Sequence, residues 1–167
     1  MRIGLVGVGR IGAFHAETLR DLRDVDEVVV TDALPDAARA VAERLGVGFS
    51  PSPEQLLADG VDGFVIATAT PGHAPLLRLG LGAGVPTFCE KPVASTLAET
   101  MELAKLVRGS DVPVHVGFQR RFDCGYQRAQ EAVASGELGF IHSVRATTHA
   151  HAPPHPSYMP PTGALCH

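Results

Sequence analysis

Residues 2–12 read RIGLVGVGRIG, a short apolar run that leads directly into a glycine-rich turn of the form G-x-G-x-x-G. Gly7 permits the tight turn, Gly9 lets the backbone approach a phosphate, and Gly12 lets the following helix pack closely on the strand. The helix that begins near Ile11 would direct its unpaired N–H groups toward the anion. The stretch therefore predicts a strand, a turn and a helix that together bind the pyrophosphate of a dinucleotide.

A second strand that ends in an acidic residue supports this interpretation. Residues 13–22 have the spacing of an amphipathic helix, and residues 28–31 form an apolar strand that ends at Asp32, 20 residues after Gly12. A carboxylate at that strand end accepts hydrogen bonds from the hydroxyls of the adenosine ribose and repels a 2′-phosphate. Because no Lys or Arg follows at residues 33–34, the sequence favours NAD over NADP. A glycine-rich turn with a surface aspartate is the alternative.

Apolar strands and helices alternate as far as residue 118. After Asp32 we expect strands at 47–49, 61–68, 86–89 and 112–118, and helices at 35–45, from 52, at 74–81 and from 96 to about 108. Parallel strands need crossover helices between them. The alternation therefore predicts an α/β fold, a Rossmann-type doubly wound parallel sheet that spans residues 1–118.

The pattern changes after residue 118. The elements expected there are a helix over 126–135, a turn over 136–139 and a strand over 141–148. The proline-rich residues 151–156 cannot form a central strand, and a lone helix and strand cannot bury a core of their own. We therefore interpret residues 119–167 as the opening, incomplete segment of a second α+β domain.

The composition bounds the class of protein. The chain is 45% hydrophobic and 19% charged, with a formal net charge of −4, so it offers no basic surface for nucleic acid. Its longest apolar stretches have the length of strands and are too short for a membrane span. Cys89, Cys124 and Cys166 show no C-x-x-C spacing, which indicates free thiols in a reducing cytoplasm. We expect a cytoplasmic protein with a small-molecule partner and no nucleic-acid or membrane partner.

Three polar groups follow the ends of expected strands, where ligands of such sheets bind. They are residues 67–73 (ATATPGH), 89–92 (CEKP) and 117–123 (GFQRRFD). A lysine at the end of a central strand beside a nicotinamide suits proton exchange with a substrate hydroxyl. We therefore expect Lys91 to be catalytic, with a cis peptide bond before Pro92; an exposed loop lysine is the alternative.

The histidines outside these groups suggest no further site. His149, His151, His155 and His167 lie near the end of the sequence, but no carboxylate or cysteine accompanies the first three at ligand spacing. We therefore expect no metal centre. His15 and His115 lie in an expected helix and an expected strand, show no charged partner in the sequence, and are interpreted as structural.

Five stretches together resemble the glucose-fructose oxidoreductase, inositol dehydrogenase and MocA (Gfo/Idh/MocA) family, above all its bacterial inositol 2-dehydrogenase branch. They are GVGRIGAFHAETL (7–19), ATATPGHA (67–74), FCEKPVASTLAE (88–99), VGFQRRFDCGY (116–126) and GELGFIHSVRATT (136–148). The G-x-G-x-x-G turn is shared by many families. The EKP and GFQRRFD motifs at these separations are typical of this one.

The resemblance implies an NAD-dependent dehydrogenase that oxidises a ring hydroxyl of a cyclitol or sugar. Family members associate as homo-oligomers, and the oligomeric state of this chain stays open. It assigns Gly7, Gly9, Arg10, Ile11 and Gly12 to the pyrophosphate, Asp32 to the adenosine ribose, Ala67, Thr68, Thr70 and His73 to the middle of the cofactor, and Glu90 and Lys91 to the nicotinamide ribose. Lys91 would also contact the reacting hydroxyl, and Arg121 would orient the polyol substrate. Another sugar dehydrogenase of the family and a non-catalytic NAD-binding module are the alternatives.

The sequence departs from the family in length. Family members are roughly twice as long and carry an Asp and a His, four residues apart, that relay the substrate proton. Residues 162–165 resemble the stretch before that pair, and His167 aligns ahead of the Asp. We therefore expect these 167 residues to lack the relay and to be inactive alone.

Overall fold

The protein divides into two compact units in a computed structural model that describes residues 1–147. The first unit is Met1–Phe118, and the second begins at Gln119. Some residues named in the sequence analysis lie outside the described part of the chain. They are Thr148, His149, His151, His155, the stretch 162–165, Cys166 and His167.

Six parallel strands form the sheet of the first unit, in the order β3-β2-β1-β4-β5-β6. The strands are β1 (Arg2–Val6), β2 (Glu27–Thr31), β3 (Gly48–Phe49), β4 (Gly63–Ile66), β5 (Thr87–Cys89) and β6 (Val114–Val116). The helices of this unit are α1 (Arg10–Arg20), α2 (Pro35–Leu45), α3 (Pro53–Ala58), α4 (His73–Gly82) and α5 (Leu97–Arg108). The predicted Rossmann-type parallel sheet is confirmed.

The two faces of the sheet have separate apolar cores, which is why its strands are apolar on both sides. Leu5, Val28 and Val30 lie on one face with alanines of α1 and α2. Phe64 and Ile66 lie on the other face, in a cluster that includes residues of α3, α4 and α5. Burial on both faces holds the strand ends in fixed register, and a site at those ends is correspondingly rigid.

Helix boundaries follow the local signals in the sequence. Ser52 Oγ accepts a hydrogen bond from the Gln55 N–H at 3.1 Å, and Thr96 Oγ1 accepts one from the Glu99 N–H at 3.2 Å. Gly46 ends α2 in the left-handed conformation with φ of 66°, where a glycine carries no steric cost. The strands β4 and β6 are shorter than predicted, because ladder pairing with their neighbours stops inside the apolar runs.

The second unit contains helix α6 (Cys124–Ala134), which begins at the Asp123 cap. Asp123 Oδ1 accepts hydrogen bonds from the N–H groups of Gly125 and Tyr126 at 3.0 and 3.1 Å. The prediction of a strand over 141–148 is wrong for its described part, since residues 141–147 form neither helix nor strand. A strand needs a hydrogen-bonded neighbour, and residues 119–147 supply none. Along residues 1–147, no helix combines the length and apolarity required to cross a membrane.

Candidate cofactor-binding site

The glycine-rich turn passes between the ends of β2 and β4. Gly7 has φ of 95°, and its N–H donates to the carbonyl oxygen of Thr31 at 2.9 Å. A Cβ at Gly7 would lie 2.7 Å from the backbone of Ala67 and Thr68. Only glycine satisfies both the positive φ and this close approach, so the first glycine of the motif is required by the fold.

Gly12 brings α1 against the turn. A Cβ at this position would lie 1.8 Å from the carbonyl oxygen of Gly7 and 3.4 Å from the Cβ of Ala67. Gly12 and Ala67 are both buried. The third glycine therefore sets the distance between helix and strand, and with it the position of the N-terminus of the helix.

Gly9 leaves open space in front of that N-terminus. It is the exposed N-cap of α1, and a Cβ there would meet no atom within 4 Å. No side chain caps α1 and no acidic residue lies in its first turn. Arg10 and Ile11 are exposed at the same end. The open space at Gly9 is called here the Gly9 cradle. Together with the uncapped N–H groups of α1 and the Arg10 guanidinium, it fits the pyrophosphate of NAD.

Asp32 lies beside this turn at the end of β2. Its Oδ2 accepts a hydrogen bond from the Val8 N–H at 2.8 Å, and its Oδ1 accepts one from the Leu34 N–H at 2.9 Å. These bonds fix the orientation of a half-buried carboxylate. Each carboxylate oxygen can accept a second hydrogen bond, so Asp32 keeps the capacity to bind ribose hydroxyls.

The loop after β4 is held in place by His73. Its ring is 2% exposed, with Nδ1 lying 2.7 Å from the carbonyl oxygen of Pro92 and Nε2 lying 2.9 Å from that of Thr68. Thr68 and Thr70 are half-buried in this loop. The structure thus engages both ring nitrogens of His73 with backbone, which ties the β4 loop to the turn after β5.

The Glu90-Lys91-Pro92 turn follows β5. The Glu90 N–H donates to the carbonyl oxygen of Ile66 at 2.9 Å, and the Lys91 N–H donates to Glu90 Oε2 at 3.1 Å. The Lys91–Pro92 peptide bond is cis, as expected, and Lys91 is exposed. Glu90 is therefore anchored to the sheet while Lys91 lies at its carboxyl-end surface.

The expectation that His15 has no charged partner is wrong. Its Nε2 lies 2.9 Å from Glu90 Oε1, and the two side chains are 25% and 19% exposed. The residues are 75 positions apart, so periodicity and spacing contain no signal for this contact. His115 stacks on Phe88, with ring centroids 5.7 Å apart and an interplanar angle of 15°.

Cys89, the last residue of β5, is fully buried. Burial, with a smaller contribution from the Glu90 carboxylate, raises the pKa of the Cys89 thiol to about 12. A thiol in that state is neither a nucleophile nor a metal ligand at neutral pH. In the part of the chain that the structure describes, no group of three or more His, Cys, Asp and Glu side chains could hold a metal ion.

Arg121 belongs to the second unit, in a short 3-10 turn over Gln119–Phe122. Its side chain is exposed, and its carbonyl oxygen accepts a hydrogen bond from Gln127 Nε2 at 3.1 Å. The assignment of Arg121 to a substrate pocket stays a prediction.

The chain is similar in sequence to curated dehydrogenases. The chain is 35% identical to myo-inositol 2-dehydrogenase of Thermotoga maritima over 99% of its own length and 50% of the relative's. It is 33% identical to inositol 2-dehydrogenase of Rhizobium meliloti, with the same coverage. The chain therefore spans about half the length of the curated relatives it matches.

Solved structures agree with the sequence relatives. A myo-inositol dehydrogenase from Lactobacillus casei, in complex with NAD(H) and myo-inositol, superposes with a TM-score of 0.78 at 27% identity, over 83% of this chain and 42% of that one. Residues 1–118 match the sequence model of an oxidoreductase family with an NAD-binding Rossmann fold. The glycine turn, the Asp32 carboxylate and the Glu-Lys-Pro turn thus lie on the fold to which they were assigned, and the chain belongs to the Gfo/Idh/MocA oxidoreductase family.

Proposed function

We propose that this chain binds NAD(H) and supplies the cofactor half of a dehydrogenase that oxidises a ring hydroxyl of a cyclitol, as in the inositol 2-dehydrogenases. One observation carries the proposal: the strand ends of a single sheet bring together the open Gly9 cradle, the Asp32 carboxylate and the Glu90-Lys91 turn. These three groups correspond in chemistry to the pyrophosphate, the adenosine ribose and the nicotinamide ribose of NAD.

The division of labour follows from the chemistry. NAD, when bound, supplies the hydride acceptor. The first N–H groups of α1 and the Arg10 guanidinium would hold the pyrophosphate, and Asp32 would hold the adenosine ribose. Lys91 would take the proton of the substrate hydroxyl as its carbon is oxidised and pass it to solvent. Thr68 and Thr70 would line the middle of the cofactor in a loop fixed by His73.

The residues that follow Phe118 are proposed to begin the substrate-binding part of the protein. Arg121 would contribute its fixed fork of donors to polyol hydroxyls. The cofactor domain determines the cofactor and leaves the choice of substrate to other residues. A sugar substrate is therefore an outcome of the same test.

Calorimetric titration with NADH tests the cofactor half directly. We expect saturable one-to-one binding by the unaltered chain. Lys91→Ala should bind NADH more weakly than the unaltered chain, because it loses a contact to the nicotinamide ribose, but binding should stay saturable because the pyrophosphate contacts remain. Absence of NADH binding by the correctly folded chain would contradict the proposal.

Turnover is tested by NADH formation with myo-inositol, scyllo-inositol and glucose, with Lys91→Ala as the blank. No Asp with a His four residues further on follows Arg121 in this sequence. An acid–base partner contributes about 10²–10⁴-fold in rate, so we expect turnover by these 167 residues to lie at least that far below that of a relative that carries the pair. Lys91-dependent turnover at the relative's rate would show that the relay is dispensable.

A further inference from the structure

One side-chain contact joins two parts of the site that are far apart in sequence. His15 lies in the second turn of α1, the helix whose N-terminus follows the phosphate-binding turn, and Glu90 directly precedes Lys91. We propose that the hydrogen bond between His15 Nε2 and Glu90 Oε1, called here the His15–Glu90 bridge, positions the Lys91 turn relative to α1 and thereby couples the two halves of the dinucleotide site. The inference rests on the proposed function.

Glu90 is held so that one carboxylate serves both elements. Its Oε1 accepts from His15 at 2.9 Å, while its Oε2 accepts from the Lys91 N–H at 3.1 Å. A Cβ on Gly117 would lie 3.2 Å from the Glu90 carboxyl group, so the glycine leaves the space that this carboxylate occupies. An ionised carboxylate can only accept hydrogen bonds. His15 Nε2 is therefore the donor in the bridge.

The His15 ring is itself oriented by its neighbours. It meets Phe88 edge-on, with centroids 5.7 Å apart and an interplanar angle of 72°, and Phe88 in turn stacks on His115. The ring of Phe14, the preceding residue, has its centroid 6.2 Å from that of His15. An oriented donor in a partly buried setting makes a stronger bond than an exposed ion pair. The bridge is thus fixed at both ends.

The bridge predicts different effects on two ligands. NADH occupies both halves of the site, whereas ADP ends at the pyrophosphate and does not reach the Lys91 turn. His15→Phe keeps a ring against Phe88 and removes the donor. The bridge forms before NADH binds, so its loss weakens binding by letting the Lys91 turn leave its position. The free energy of one hydrogen bond to a charged group, about 1.5 kcal/mol at its lower end, sets the size of this effect. We therefore expect about tenfold weaker NADH binding, and ADP binding within about twofold of the unaltered chain.

Two further variants separate positioning from packing. His15→Gln places an amide donor near the position of Nε2, and NADH affinity should return to within about threefold of the unaltered chain. Glu17→Gln, an exposed change on the same helix, should leave both affinities unchanged. Thermal unfolding followed by circular dichroism on each sample checks that the variants are folded.

Amide hydrogen exchange of Lys91, measured without ligand, gives a readout that does not depend on NAD. Because the Lys91 N–H donates to Glu90 Oε2, we expect faster exchange in His15→Phe than in His15→Gln. Equal loss of NADH and ADP binding, unchanged NADH binding in His15→Phe, or failure of both His15 variants to fold would each overturn the inference. If the unaltered chain binds ADP but not NADH while Lys91 exchange still responds to His15→Phe, the proposed function fails and the structural link stands, without its role in the cofactor site.

Discussion

Gly9→Val is expected to abolish dinucleotide binding without unfolding the domain, whereas Gly12→Ala is expected to destabilise the fold itself. At Gly9 a Cβ meets no atom within 4 Å, and φ of −62° with ψ of −173° is extended backbone that valine adopts. At Gly12 a Cβ would lie 1.8 Å from the Gly7 carbonyl oxygen. The two positions belong to one motif, but the added side chain meets open space in one case and backbone in the other.

The magnitudes follow from these contacts. Valine at Gly9 fills the cradle and blocks two or three N–H bonds to a charged ligand, each contributing about 1.5–3 kcal/mol, so affinity for NADH should fall more than about 100-fold. At Gly12, ordinary contact begins at 3.4 Å, so α1 would have to retreat by about 1.6 Å, an overpacking that costs about 3 kcal/mol. The higher helix propensity of alanine than of glycine offsets about 1 kcal/mol of this cost. The net loss of about 2 kcal/mol lowers Tm by about 8 °C.

Both variants are assayed by thermal unfolding in far-UV circular dichroism and by NADH titration of the same samples. Gly9→Val should unfold within a few degrees of the unaltered chain and show no saturable binding. Retained NADH affinity in Gly9→Val would show that the pyrophosphate does not bind in the space at Gly9. An unchanged Tm in Gly12→Ala would refute the close approach of α1 to the glycine turn.

Three further changes test the site and its support. The unaltered chain should bind NAD more tightly than NADP, and Asp32→Ala should narrow or reverse the difference in calorimetric titrations because the ribose-binding carboxylate is lost; tighter NADP binding before mutation would contradict this. Iodoacetamide on the folded chain should label exposed Cys124 and spare buried Cys89. Burial holds the pKa of the Cys89 thiol at about 12, so its thiolate appears only as the pH approaches that value. Equal labelling of the two cysteines in a peptide map would contradict the burial of Cys89. Thr96→Ala should cost about 1 kcal/mol by removing the cap of α5, and Thr96→Ser should restore it; identical Tm values for all three proteins would exclude a capping role.

The order of elements in the first unit could be predicted because its signals are local. Apolar runs, Gly46 and the Ser52 and Thr96 caps each act on residues within one or two turns, and in the structure Gly46 ends α2 while Ser52 and Thr96 cap α3 and α5. The prediction of a strand over 141–148 is wrong for residues 141–147, which form no strand. Alternation of side chains is a local property, whereas a strand forms only when a second strand pairs with it.

The sequence by itself determined that a strand, a G-x-G-x-x-G turn, a helix and a strand ending at Asp32 follow one another, because the glycines and the apolar period restrict the backbone directly. Tertiary structure alone decided which groups meet at the sheet edge. His73 joins the carbonyls of Thr68 and Pro92, and His15 meets Glu90 across 75 residues. These contacts depend on the packing of α1 and α4 against a parallel sheet, and no periodicity within either helix encodes a partner in a loop that follows a strand.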